Sequence, residues 1–415
     1  MKTTQVTDGV YRLSANVDNI KFEGLWPIPN GIAMNSYIVK GEKVAIIDGV
    51  CDWDGVPETL FEQFDQMNVK AEDIDYVIIN HMEPDHSGWL QDFKKIRPNF
   101  TIYTSERAKA LLDAFYGIDE LGNDIVTVKS GDTLDLGDGR VLAFEEIPNV
   151  HWPETIATFD TKSGTLFPCD AFGSFGSITD APYDDNLTQD DIEYFEHEAL
   201  RYYANIVAAF SYPVIKAAKK VDQLPVQIIS PGHGIVWRKN PEKIVNDYKR
   251  YASYSKGPAE PEVTVIWGSM YGNTERAVVP VVRGIESKGV KVHVHRVPET
   301  HMSYILRDIW RSSGVVLGMP TYEYGMFPPM KYVMELLKEK IMRFKKVGFF
   351  GSFGWSGGAK RDFDELKENM KWDIEEPLLF KGYPSDEERE KGEELGRTIA
   401  RKVKEIPSKI KNEDY

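Results

Sequence analysis

From residue 263 onward the chain alternates between short apolar runs and amphipathic stretches. The runs Val263–Trp267, Val290–His295, Gly314–Gly318, Val347–Gly351 and Pro377–Phe380 read as strands. Helix-like segments lie between them, and the last opens on the capping box Ser385-Asp386-Glu387-Glu388. That helix sets Leu395, Ile399 and Val403 on one face. Five β/α units in about 150 residues predict a parallel sheet covered on both faces. Pro280 falls inside the first helix and predicts a kink there. The earlier part has a different rhythm, in which the strand-like runs Tyr76–Ile79, Val141–Pro148, Thr165–Cys169 and Val226–Ser230 each lead into a loop with metal-ligand side chains. Between the two parts, Lys256–Glu262 lacks periodicity and reads as a linker, giving domains at 1–255 and 263–410. There is no internal repeat and no low-complexity tract.

Composition narrows the class. A length of 415 residues suits two domains, and 42% hydrophobic with 28% charged residues are values of a soluble globular protein. A net charge of −15 argues against a nucleic-acid partner, which would demand a surplus of Lys and Arg. The opening MKTTQVTDGVYRLS lacks the apolar core of a signal peptide, and no apolar run approaches the roughly 20 residues of a membrane helix. These features predict a cytoplasmic protein with no membrane partner. Cys51 and Cys169 are the only cysteines, with no CxxC pair for rubredoxin-type iron, and both read as small buried hydrophobes.

Three loops of the second domain carry chemistry. Gly268-Ser269-Met270-Tyr271-Gly272-Asn273-Thr274-Glu275 joins the first strand to a helix, so its backbone N–H groups, with the Ser269 and Thr274 hydroxyls, can nest a phosphate. It lacks the lysine of a nucleoside-triphosphate loop. By itself it is equally a plain strand–helix turn. Pro320-Thr321-Tyr322-Glu323-Tyr324 follows the third strand, and Ser352-Phe353-Gly354-Trp355-Ser356-Gly357 the fourth. In a doubly wound sheet these loops meet at the carboxyl ends of the strands, where aromatics and glycines suit a flat isoalloxazine ring. Tyr322 and Trp355 could instead simply cap the sheet, but three suitable loops at the correct strand ends weigh against that. At these residues the segment resembles a flavodoxin domain over essentially all of 263–410, which implies FMN.

The first domain is more specific. After Tyr76–Ile79 comes Asn80-His81-Met82-Glu83-Pro84-Asp85-His86, four potential metal ligands in one short loop. His151, Asp170 and His233 follow the other three runs. Seven donors from four strand ends can converge on one rim, and a carboxylate such as Asp170 can bridge two metals. His197, His293, His295 and His301 lack this context and read as surface or structural residues.

These positions resemble the metallo-β-lactamase superfamily, whose usual motif has His where this chain has Glu83. A carboxylate there makes a harder, oxygen-richer site, suited to iron rather than to a hydrolytic zinc pair. With an FMN domain beside it, the pattern resembles the flavodiiron family over nearly the whole chain. The resemblance implies an α/β protein with an N-terminal metallo-β-lactamase-like αββα sandwich and a C-terminal flavodoxin-like doubly wound parallel sheet. It also implies two iron ions and one FMN per chain. His81, Glu83 and His151 would bind one iron, Asp85, His86 and His233 the other, and Asp170 would bridge; His86 is a ligand that not every family member coordinates. Trp152, beside a ligand, either shields the pocket from water or serves the core.

The expected reaction is reduction of dioxygen to water. The sequence shows no rubredoxin module or nicotinamide motif, which reads as the minimal two-domain form. Ile20–Gly31 lacks the histidine-containing stretch of many bacterial relatives and is similar to the methanogen branch, which implies reduced coenzyme F420 as donor ahead of rubredoxin. The resemblance further implies a head-to-tail homodimer, with a dimer of dimers left open. The rival readings are a nitric oxide reductase on the same scaffold, a zinc hydrolase with an accessory flavodoxin domain, and a non-catalytic electron carrier.

Overall fold

The computed structural model describes residues 3–50, 58–117, 124–178 and 182–406. Cys51 and residues 407–410 of the second expected domain lie outside them. Internal contacts divide the chain into Met1–Tyr203 with Tyr212–Lys249, and Ala204–Ser211 with Arg250–Tyr415.

The first unit contains two sheets. One runs Thr4–Thr7, Val10–Val17, Ile32–Lys40, Val44–Ile47, Ile74–Ile78, Thr101–Thr104 and Asp124–Thr127 from edge to edge. The other runs Thr133–Asp135, Val141–Glu146, Ile156–Asp160, Thr165–Phe167 and Ile228–Ile229. Tyr37, Val39 and Ile78 of the first sheet join Leu142, Phe144 and Phe167 of the second in one buried cluster, so the sheets form a sandwich. The helix Glu58–Asp65 packs on the strand Val10–Val17. Two strands are shorter than their apolar runs suggest. The run from Thr165 stops at Phe167, because Pro168 has no N–H for a ladder, and Val226–Ser230 yields only Ile228–Ile229.

The second unit is a parallel sheet in the order Lys291–Arg296, Glu260–Trp267, Ser312–Gly318, Lys346–Phe353, with Asp373–Ile374 and Leu378–Lys381 both pairing the last of these. This order puts the switch point between the first and third strands of the unit. The helix Glu275–Glu286 runs on through Pro280, and Asp386–Lys404 begins at the expected capping box and buries Leu395, Ile399 and Val403. The expected linker is shorter than its composition suggests. Glu260 already pairs with Ser312, and the register shift before Val263 accommodates Pro261 as a bulge. Among the described residues no helix is long and apolar enough to cross a membrane.

Lys345 is buried in this unit, and its ammonium donates only to the carbonyls of Trp310 (3.1 Å) and Ser312 (2.7 Å). Burial drags its pKa down to about 7. The folded chain therefore binds fewer protons than the unfolded chain between pH 7 and the ordinary lysine range. The penalty is full below pH 7 and fades as pH rises, a cost of several kcal/mol at most. Lys345→Met is expected to flatten the rise in thermal stability of this unit between pH 7 and 10, followed by flavin release. The slope is the readout, because methionine also leaves two carbonyls without their donor.

Candidate metal centre and flavin site

Each of the seven metal-ligand candidates sits just past a strand end. His81 and Glu83 follow Ile74–Ile78, and Asp85 and His86 occupy the one-turn helix Pro84–Ser87, started by proline at its first position. His151, Asp170 and His233 follow the strands ending at Glu146, Phe167 and Ile229. The structure brings all seven together. His81, Glu83, His151 and Asp170 form one set with donor atoms within 4.8 Å of one another, and Asp85, His86 and His233 form a second. Asp170 faces both. Its Oδ2 lies 3.4 Å from His81 Nε2 and 3.0 Å from His151 Nε2, while its Oδ1 lies 2.9 Å from His86 Nε2 and 3.2 Å from His233 Nε2.

Glu83 Oε2 completes the first set, at 3.3 Å from His81 and 3.0 Å from His151. Asp85 Oδ2 completes the second, at 3.5 Å from His86 and 3.4 Å from His233. Both Asp85 oxygens, Asp170 Oδ2 and His233 Nε2 are buried and make no well-aligned hydrogen bond, only the close carboxylate–imidazole contacts just given. Polar atoms so poorly paired are costly unless a cation engages them, so the donor set fits two metal ions. Burial alone would lower the histidines, but the facing carboxylates lift His81 and His233 to about 10 and His86 and His151 to about 9. Protons thus stand where a metal would, and metal binding displaces them.

The supporting shell was not legible in the sequence. Glu154 Oε1 accepts from His81 Nδ1 at 2.7 Å and from Met82 N at 3.0 Å, which fixes the His81 tautomer with Nε2 toward the cluster. Its only sequence signal is its place three residues beyond His151. Asn80 anchors the loop base through Phe167 O, Thr158 Oγ1 and Asp48 Oδ1. Gly232 has to be glycine, since a Cβ would lie 2.8 Å from His86 Cε1. Trp152 stands edge-on to His81 at 5.1 Å and is only half-buried, which places it as a cover. Phe22 packs against His233 at 5.5 Å, so the Ile20–Gly31 stretch brings an apolar ring to the site. Tyr202 lies 5.8 Å from His233, with its hydroxyl buried and unpartnered. Burial and the nearby Asp170, Glu83 and Asp85 hold its proton on. Among the histidines outside the cluster, His301 caps a helix, while His293 and His295 bond Glu262 and Asp308. Glu154→Gln keeps the side chain's shape but removes its charge, and is expected to weaken metal retention about 10- to 100-fold. Metal content after dialysis against a graded chelator measures this.

In the second unit the three flavin loops meet. Thr274 Oγ1 and Ser352 Oγ are 2.8 Å apart, and Ala359 N donates to Thr321 Oγ1 at 3.3 Å. Thr274 is buried in that bond, and Ser269 Oγ accepts from Gly272 N, so part of the expected hydroxyl capacity is spent shaping the nest. Glu323 and Tyr324 both have positive φ in a two-residue hairpin turn, a conformation that glycine or asparagine ordinarily supplies. This turn presents Tyr324, whose ring is 6.1 Å from that of Trp355. Met270, Tyr271, Tyr322, Tyr324 and Trp355 are exposed, Trp355 at 76%, whereas Pro320 and Ser352 are buried below. Asn273, Phe353 and Ser356 are half-buried, Gly354 and Gly357 exposed, and Ser356 Oγ is buried with no partner. Exposed aromatic faces above a backbone nest fit a phosphorylated flavin.

Fold and site define a binuclear metal domain of the metallo-β-lactamase type joined to a flavodoxin. Residues 32–234 match the ODP family beta lactamase model and 265–396 match flavodoxin. The chain is 32% identical over 383 residues to the anaerobic nitric oxide reductase flavorubredoxin of Vibrio vulnificus, covering 91% of this chain and 74% of that one. Rubredoxin oxygen:oxidoreductase of Desulfovibrio gigas superposes with a TM-score of 0.88 at 26% identity, over 97% of this chain and 99% of that one. A flavoprotein of Thermotoga maritima gives a TM-score of 0.86 at 30% identity, over 97% and 98%. The chain belongs to the flavodiiron protein family, an enzyme family of oxidoreductases, and its cofactors are FMN and two irons.

Proposed function

We propose that this protein reduces dioxygen to water at a diiron centre in residues 1–255, with electrons passed through FMN in residues 263–410 from reduced coenzyme F420. The observation that carries the reading is Asp170, whose two oxygens each face a separate pair of imidazoles. In this reading His81, Glu83 and His151 hold one iron, Asp85, His86 and His233 the other, and Asp170 bridges. The flavin contacts are Ser269–Thr274, Pro320–Tyr324 and Ser352–Gly357. When bound, the irons supply electron storage and polarisation of the substrate, and FMN supplies two-electron relay. The protein's own groups do the rest: Glu154 holds the His81 tautomer, Trp152 covers the two imidazoles beside it, and Tyr202 keeps a proton at Oη beside the cluster.

The donor assignment rests on the Ile20–Gly31 stretch, which contains no histidine and brings the Phe22 ring against His233. A second reading, rubredoxin-linked reduction of oxygen or nitric oxide, draws on the names of the Desulfovibrio and Vibrio relatives. Both readings place the protein in the cytoplasm. Reduced coenzyme F420 is expected to bleach the FMN rapidly without any added protein, and turnover with oxygen to exceed that with nitric oxide. Bleaching by reduced rubredoxin alone, or faster nitric oxide turnover, would favour the second reading.

A further inference from the structure

We propose that Asp362, backed by Arg361, is a positioning residue for the flavin, clamping the strained Glu323–Tyr324 turn so that Tyr324 is presented to the ring. The proposal rests on the reading above that Pro320–Tyr324 contacts FMN. Glu323 and Tyr324 are the two central residues of a hairpin in which Thr321 pairs with Met326 and Tyr322 with Gly325. Their φ angles are +42° and +66°. Left-handed backbone at both positions is the pattern of a type I′ turn, which Asn-Gly adopts at little cost and Glu-Tyr does not. Such strain persists only where the surrounding structure over-determines it. Both side chains are exposed, so their own burial supplies little of that restraint.

The restraint comes from the helix Gly358–Leu366, which continues the Ser352–Gly357 flavin loop. Asp362 Oδ2 accepts from Met326 N at 2.7 Å, and Arg361 Nη2 donates to Tyr324 O at 3.0 Å. Arg361 also pairs with Asp362 at 2.9 Å, which joins the two anchors into one unit. The start of the helix touches the turn itself, since a Cβ on Gly358 would lie 1.7 Å from Tyr324 O. Ala359 N adds a bond to Thr321 Oγ1 on the first strand of the hairpin. Asp362 carries most of the clamp, because its side chain is 20% exposed and its charge strengthens the bond to a backbone N–H. Arg361, at 64% exposed, contributes less. The second and third flavin loops are thereby held in one frame.

The test compares holoenzymes of the wild type, Asp362→Ala, Arg361→Ala and Tyr324→Ala, the first three also in a Glu323→Gly background. The readouts are FMN release on dilution, followed by flavin fluorescence, and the visible circular dichroism of the bound flavin. Asp362→Ala is expected to speed release about 10- to 100-fold and Arg361→Ala about threefold, with altered flavin dichroism in both. Glycine takes positive φ without a steric penalty. In the Glu323→Gly background the Asp362→Ala loss should therefore shrink at least about threefold, and the Arg361→Ala loss should vanish. A general contribution of Asp362 to folding would not depend on residue 323, so equal losses in both backgrounds overturn the clamp. Wild-type release and dichroism in Asp362→Ala, with Tyr324→Ala altered, also overturn it and leave the flavin contact standing. If Tyr324→Ala is unaltered too, the contact reading of this turn fails and the clamp falls with it. If Asp362→Ala does not fold, the exposed Arg361 decides, and unchanged release in Arg361→Ala overturns the proposal.

Discussion

Asp170→Ala is expected to lose one or both irons and nearly all oxygen turnover. The carboxylate is buried and its two oxygens face different imidazole pairs, so in the proposed bridging assignment one truncation removes a ligand from each metal. It also removes one of three acids that would offset the charge of two cations in a largely buried site. The loss should exceed the roughly 10- to 100-fold that removal of an outer partner such as Glu154 costs. Asp170→Asn preserves the shape but not the charge, and should retain at most one tightly held metal. Metal analysis together with oxygen consumption checks both variants. Wild-type turnover in the alanine variant would show that the ligand assignment is wrong.

Mixing two inactive variants is expected to restore activity. We propose a head-to-tail homodimer that sets the flavin of one subunit against the irons of its partner, because electron transfer needs the two groups close. Exposure of Tyr271, Tyr322, Tyr324 and Trp355 around the flavin loops suits a face that a second copy covers. One chain carries His81→Ala with Asp170→Ala. The other carries Thr274→Asp with Trp355→Ala, which puts a carboxylate into the phosphate nest. After random exchange half the dimers are mixed and half their sites are intact, so roughly a quarter of wild-type activity should return. If flavin and irons met within one chain, every chain would lack one of the pair and mixing would restore nothing. No recovery after verified subunit exchange therefore rejects the trans dimer.

Much of the architecture is written locally. The strands of the second unit begin within a few residues of their apolar runs, and the Ser385 box starts its helix, because burial period and capping are properties of short segments. The short strand at Ile228–Ile229 and the early start of Glu260–Trp267 were less legible, since pairing partners rather than composition fix where a ladder begins and ends.

The sequence by itself determined the alternation of elements, the two different halves and the inventory of metal donors, because ligand chemistry is carried by residue type and by position after a strand. It could not decide which oxygen of Asp170 faces which imidazoles, that Glu154 holds His81, or that Tyr202 lies against His233. Nor could it bring Asp362 to the backbone of Met326, 36 positions away. Those choices belong to the tertiary structure alone. They depend on the directions of side chains from separate strands and helices, set only once the sheets pack and their loops share one rim.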